Sequence, residues 1–260
     1  MSDGARLNDY ALSVEDVSIR FGALQAVDGV SLQLPAGARH ALIGPNGAGK
    51  STFVGLITGT LRPDSGRVLL GGHDVTRTGF SARVRRGLVR SFQVTSLFAE
   101  MSALDSVLLA IAEREGRSAR MLRPLGRYGA FVDEAGEILR SVGLIGVAKR
   151  PVSDLAYGQQ RVVEIALALA ARPRVLVLDE PAAGIPAGES TRLFEVLEGL
   201  PAEVALLFVE HDMHLVRRFA RAVTVLAGGK VLAGGTPAHV AADPAVQDAY
   251  LGRRGAGLHA

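Results

Sequence analysis

Apolar residues recur along this chain at two spacings, and the changeover between them divides it. Residues 12–34 show loose two-residue alternation, in VEDVSIRF and then VSLQL, which predicts short strands. Pro35-Ala36-Gly37 marks a turn, Ala38–Ile43 (ARHALI) a further strand, and Ser51–Gly59 a helix entered through a glycine-rich loop. After the turn Pro63-Asp64-Ser65-Gly66, RVLLGG reads as another strand. From about Gln93 to Lys149 helical spacing takes over, as in SALDSVLLAIAERE, where either Ser102 or Asp105 is placed to open the helix. Strand and helix then alternate: a helix after Gln159, the strand VLVLD, the helix ESTRLFEVLEGL, and the strands ALLFVEHD and AVTVLAGGKVLAGG. This succession predicts an α/β protein with a helical subdomain inserted in its core. No repeat or low-complexity linker stands out.

Composition narrows the picture. At 260 residues the chain can bury a full core. It has no cysteine, which rules out disulfides and cysteine-based metal sites. The N-terminus lacks an apolar stretch behind basic residues, so no signal peptide is expected. No run of roughly 18 apolar residues occurs either, and a chain soluble by itself, without a transmembrane span, is the expectation. The net charge of +3 is carried mostly by arginine. Arg83, Arg85, Arg86 and Arg90 form one cluster, and Arg114, Arg117, Arg120 and Arg123 another at helical spacing. Aromatic residues are not interleaved with them for base stacking, so both are read as solvated helix faces and no nucleic-acid partner is expected.

Chemistry enters at Gly44-Pro45-Asn46-Gly47-Ala48-Gly49-Lys50-Ser51, which fits G-x-x-x-x-G-K-S/T between a strand and a helix. Its glycines let backbone N–H groups curl around phosphate oxygens, and the helix start adds positive potential. Lys50 is then placed for the β- and γ-phosphates and the Ser51 hydroxyl for Mg²⁺, so the loop is expected to bind a nucleoside triphosphate. Val175–Glu180 (VLVLDE) is an apolar strand ending in two acids, at the strand end where open α/β sheets bind ligands. Asp179 suits the Mg²⁺ shell, and Glu180 suits the orientation or deprotonation of an attacking water. His211 closes the apolar strand ALLFVEH; by itself a strand-end histidine is more often structural, and the remaining histidines are read as structural or surface. Tyr157-Gly158-Gln159-Gln160 precedes an alanine-rich helical run, with no serine or threonine to cap it.

Taken in order, the phosphate loop, Gln93 at the start of the helical insert, the G-Q-Q helix start, the strand ending in Asp-Glu and the strand ending in histidine resemble the ATP-binding cassette ATPases over most of the chain. The resemblance implies a P-loop NTPase core of RecA type with an N-terminal antiparallel β subdomain. In a single nucleotide-binding domain it assigns the core to 1–92 and 152–235, the helical subdomain to 93–151 and a tail to 236–260. ATP and Mg²⁺ are the implied cofactors. Phe21, backed by Val27, corresponds to the aromatic that stacks on adenine; Thr52 joins the phosphate loop; Gln93 and His211 join the catalytic site, Gln93 also the metal shell. The family signature L-S-G-G-Q appears as Leu155-Ala156-Tyr157-Gly158-Gln159, and signature residues complete the nucleotide site of a second cassette.

A-Y-G-Q-Q, Arg90-Ser91-Phe92-Gln93, Asp179–Gly184 (DEPAAG), Glu210–Met213 (EHDM) and Ala249–Gly252 (AYLG) resemble the LivG-type branched-chain amino-acid uptake ATPases. That subgroup implies an importer motor on the cytoplasmic face of the membrane. Its partners would be membrane-spanning permease subunits, a paralogous ATPase or a second copy of the chain and, indirectly, a solute-binding protein. The groove between Gln93 and Ala110, with Leu97, Phe98 and Met101, would seat a permease helix. Related systems for urea, amides, aromatic acids or lipid export remain open, as do a non-transport cassette and a phosphate-loop kinase or GTPase. One departure is Ile185-Pro186, where the subgroup reads Leu-Asn: proline lacks the polar side chain that crosses to the opposite site.

Overall fold

The computed structural model describes residues 10–91, 99–116 and 129–255. In chain order these form β1 (Tyr10–Phe21), β2 (Leu24–Pro35), β3 (Arg39–Ile43), α1 (Lys50–Thr58), β4 (Ser65–Leu70), β5 (His73–Asp74), α2 (Phe80–Arg85) and β6 (Leu88–Arg90). Next come α3 (Ala103–Arg114), α4 (Gly129–Ser141), α5 (Tyr157–Ala170), β7 (Val175–Asp179), α6 (Ala187–Glu198), β8 (Ala205–Val209) and α7 (Met213–Phe219). The chain closes with β9 (Ala222–Ala227), β10 (Lys230–Gly235), α8 (Pro237–Ala242) and α9 (Pro244–Gly255). Two compact units emerge: the first runs to Leu88 and adds Arg174–Pro181 and the chain from Ala202, the second takes Val89–Pro173 and Ala182–Pro201.

In the first unit, β2-β1-β4-β5 make an antiparallel sheet. Its long strand β1 slips register between Val14 and Val17, where Asp16 has a positive φ of 49°; this bulge breaks the strict alternation that the sequence shows only loosely. The second sheet has the order β10-β9-β3-β8-β7-β6, with β3 parallel to β8 and β9, and β7 parallel to β8. Every residue of β3 and β8 is buried, as parallel strands with covered faces require. One core runs through this unit, from Leu12, Val14 and Val30 of the antiparallel sheet to Phe53, Leu56 and Ile57 of α1 and Val177, Leu207 and Val209. Each such side chain contributes roughly 1.5–3 kcal/mol through burial.

The arginine clusters correct the expectation of solvated faces at two positions. Arg83 is completely buried, and its guanidinium donates to the carbonyls of Leu56 and Ile57 (both 2.6 Å) and of Thr76 and Thr78 (both 3.1 Å). Four carbonyl acceptors replace the water it gives up, so the charge stays inside. Arg85 and Arg86 are exposed.

In the second unit, Ser102 rather than Asp105 is the N-cap of α3: its Oγ accepts the Asp105 N–H at 3.0 Å and donates to the Asp105 carboxylate at 2.6 Å. Arg114, at the end of that helix, is the second correction. It donates to both oxygens of Glu134 on α4 (2.7 and 2.9 Å) and to the Ala170 carbonyl on α5 (2.7 Å), tying three helices together. Arg117, Arg120 and Arg123 lie outside the described residues, as do Gln93, Leu97 and Phe98.

Candidate active site

The phosphate loop leaves β3 at Gly44 and enters α1 at Lys50. Gly44 has φ 150° and Gly49 φ 99°, and a Cβ at either would run into a backbone oxygen, of Leu226 and of Ala26 respectively. Both places therefore require glycine for close approach as well as for conformation. Gly229, in the β9–β10 turn, donates to the Ala48 carbonyl at 3.1 Å and accepts from Asp28 at 2.8 Å, so the loop is braced from two sides. Ala48 is buried, while Asn46, Gly47 and Ser51 face outward; Pro45 and Thr52 are half-buried. Gly49 caps α1 without a side-chain acceptor, which leaves first-turn N–H groups for an anionic ligand.

Lys50 Nζ donates to the Gly44 and Pro45 carbonyls at 2.7 and 3.0 Å. Burial holds its pKa below the usual lysine value, and the negative charges of Glu180 and Asp179 push it back up. The fold has thus brought both acids of VLVLDE to the phosphate loop, across about half the chain. Asp179 ends β7 half-buried. Glu180 is exposed, at a positive φ of 49°, and its N–H donates to Val209 at 3.0 Å. A non-glycine residue in this region carries strain of about 1–3 kcal/mol, of the kind that collects at functional sites.

His211 follows β8 with its side chain 67% exposed, and Nδ1 stands 4.0 Å from a carboxylate oxygen of Glu210. Glu210 is buried, and the same oxygen accepts the His211 N–H at 3.3 Å. Glu210 is not among the residues the sequence singles out for the site, although a carboxylate beside a strand-end histidine was a usable signal. Nor does the sequence single out Tyr250 of α9, whose hydroxyl is buried near the Gly44 amide, burial raising its pKa and the amide opposing. Phe21 is half-exposed at the end of β1, whereas Val27 is fully buried in the core and can back a ring but presents no surface of its own.

In the second unit the polar start of α5 has a physical explanation. Gln159 Oε1 accepts the Ala156 N–H at 3.2 Å, and Gln160 Nε2 donates to the Leu155 carbonyl at 3.0 Å. The two amides pin the chain entering the helix, while Ala156, the N-cap, offers no side-chain acceptor to the first turn. The N–H groups at Tyr157 and Gly158 point out of an uncapped positive helix end. A cavity of about 590 Å³ opens there, lined in part by Ala156, Gly158, Gln159, Glu189 and Arg192.

Two anion-receptive helix starts, one with a lysine and two acids, describe a nucleotide-handling cassette, and a family model described as ABC transporter matches residues 27–183. The chain is an ABC transporter ATP-binding subunit. A second model, branched-chain amino acid ATP-binding cassette transporter, matches residues 230–256 of this subunit. It is 38% identical to the high-affinity branched-chain amino acid transport ATP-binding protein BraF of Pseudomonas aeruginosa and 37% identical to LivG of Escherichia coli, in each case over 93% of this chain and 97% of the relative. Among solved structures, the ADP conformation of an ATP-binding cassette of an ABC transporter is 32% identical, with a TM-score of 0.82 over 94% of this chain and 99% of the other. The ABC subunit accordingly binds ATP and couples its hydrolysis to transport. Among its described residues no helix is long and apolar enough to cross a membrane.

Proposed function

We propose that this ABC subunit drives the import of branched-chain or other hydrophobic amino acids from the cytoplasmic face of the membrane. The observation that carries the reading is the near full-length similarity to BraF and LivG, both named for branched-chain amino acid transport. In this reading two cassettes close on two ATP molecules, the second being a paralogue or another copy of this chain. Membrane-spanning subunits take up the motion, and a solute-binding protein delivers the cargo. The ATPase itself meets only the nucleotide.

The chain's own groups divide the work. Phosphate-loop N–H groups and Lys50 hold the β- and γ-phosphates, and the exposed ring of Phe21 takes the adenine. Ser51 and Asp179 would hold Mg²⁺: they present hydroxyl and carboxylate oxygens, the hard donors it prefers, and Asp179 lies close enough to Lys50 for its charge to raise the lysine's pKa. When bound, Mg²⁺ would neutralise phosphate charge. Glu180 orients and polarises the attacking water, and His211 steadies the γ-phosphate side, held by Glu210 behind it. The uncapped N–H groups of Tyr157 and Gly158 serve the opposite cassette's nucleotide.

The test is Glu180→Gln. It should bind ATP as the parent does and lose turnover by about 10²-fold or more. Hydrolysis at the parental rate would remove Glu180 from this role.

A further inference from the structure

We propose that Tyr157 is a positioning residue: it couples the start of α5, which serves nucleotide, to the Gly184–Pro186 turn that leads into α6. The proposal rests on the two-cassette reading above and concerns a contact wholly inside the second unit.

Tyr157 is 44% exposed, yet its ring is held firmly. Its hydroxyl accepts from Arg161 Nη2 at 2.8 Å, and the guanidinium carbon lies 5.2 Å from the ring centroid. Arg161 is itself fixed by both oxygens of Glu164 (3.0 and 3.2 Å), in a pair whose side chains are only 10% and 7% exposed. Arg161 Nε is buried without a partner. A guanidinium with one donor already unsatisfied loses a further bond if the phenol leaves, so the tyrosine has one preferred place.

That place is against Gly184. Gly184 has φ 75°, and a Cβ there would lie 3.6 Å from the Tyr157 hydroxyl and 3.7 Å from its Cε1, so the ring stands beside the turn, at the distance where an added methyl group would meet it. The next signature residue, Gly158, faces the start of the helix that the turn leads into. A Cβ on Gly158 would come within 2.5 Å of a Glu189 carboxylate oxygen in the first turn of α6, and that carboxylate sits at the positive end of α5. Pro186 caps α6 without a side-chain bond, and its carbonyl accepts from Glu189 and Ser190 at 2.9 and 3.0 Å. With proline in this place the turn has no polar side chain at the crossing position; the side chains beside it are left to set where its backbone lies, and Tyr157 is one of them. A shift at the start of α5 on nucleotide engagement is therefore transmitted to the turn as a rigid push.

The experiment compares Tyr157→Ala with Tyr157→Phe by hydrogen exchange at the amides of Ile185, Glu189 and Ser190, and by steady-state ATP hydrolysis. Tyr157→Ala should speed exchange at these amides about tenfold while α3 amides are unchanged. It should lower kcat roughly tenfold with KM for ATP within about twofold. Tyr157→Phe keeps the ring against Gly184 and should restore kcat to within about threefold of the parent. Unchanged exchange in Tyr157→Ala, a raised KM with intact kcat, or a phenylalanine variant as impaired as alanine would each overturn the proposal. Light scattering on Glu180→Gln with Mg-ATP, alone and mixed with its paralogue, reads the two-cassette reading separately. Failure to associate in both would sink that reading, while the exchange result still decides whether Tyr157 holds the turn.

Discussion

At the scale of single residues, burial and charge make the site and also set its sensitivity to pH. Lys50 is the residue where both effects meet, because burial weakens its charge and the two acids of β7 restore it. Replacing it with alanine removes a charge-assisted bond worth roughly 1.5–3 kcal/mol, so nucleotide affinity should drop about 10- to 100-fold in an equilibrium titration. His40 tells a different story. It lies in β3 with Nε2 2.8 Å from the Thr224 hydroxyl, and burial pushes its pKa down to about 4. Between pH 6.5 and 4 the unfolded chain takes up a proton that the folded chain refuses, so stability falls as pH drops through that window. The loss from this group should reach about 2 kcal/mol by pH 5. His40→Gln should flatten that dependence when urea midpoints at pH 7 and pH 5 are compared; an unchanged slope would assign the effect elsewhere.

Among the elements, α1 shows how a helix proposed to take phosphate at its start is secured at its other end. Its N-terminus is left open for phosphate, while its last carbonyls are taken by Arg83 of α2. A cation at a helix C-terminus complements the dipole, here with the geometry of direct hydrogen bonds. Arg83→Met should keep the volume but strand those carbonyls, lowering stability by about 3 kcal/mol in denaturant titration. Affinity for ATP in the folded fraction should change little, since the proposed nucleotide site lies at the other end. The arginine run around α2 could not disclose this. Neighbouring Arg85 and Arg86 share its chemistry and its sequence context, and only the approach of α1 separates a buried clamp from two solvated charges. By contrast Ser102 as the cap of α3 was among the readings available, because a cap bonds to a residue three positions on and is written locally.

The whole molecule is read through its partners. Among the described residues no helix is long and apolar enough to cross a membrane, and the proposed function has other chains hold the subunit there. Expressed alone it should remain in the supernatant after ultracentrifugation, and co-expression with its permease subunits should move it to the membrane fraction. Equal membrane recovery without them would point to direct lipid attachment. What the sequence determined by itself is the part written in short spacings: the glycine pattern of the phosphate loop, the apolar runs of buried parallel strands, the two acids at the end of β7, and through their order the ABC family. Backbone conformation and strand burial depend on residues a few positions apart, so these features survive in a bare string of letters. The tertiary structure decided the rest. It set Glu180 and Asp179 beside Lys50, buried Arg83 and His40, brought Tyr250 to Gly44, and laid Tyr157 against Gly184. Each joins segments distant along the chain, and such contacts exist only once packing has chosen which of many similar side chains meet.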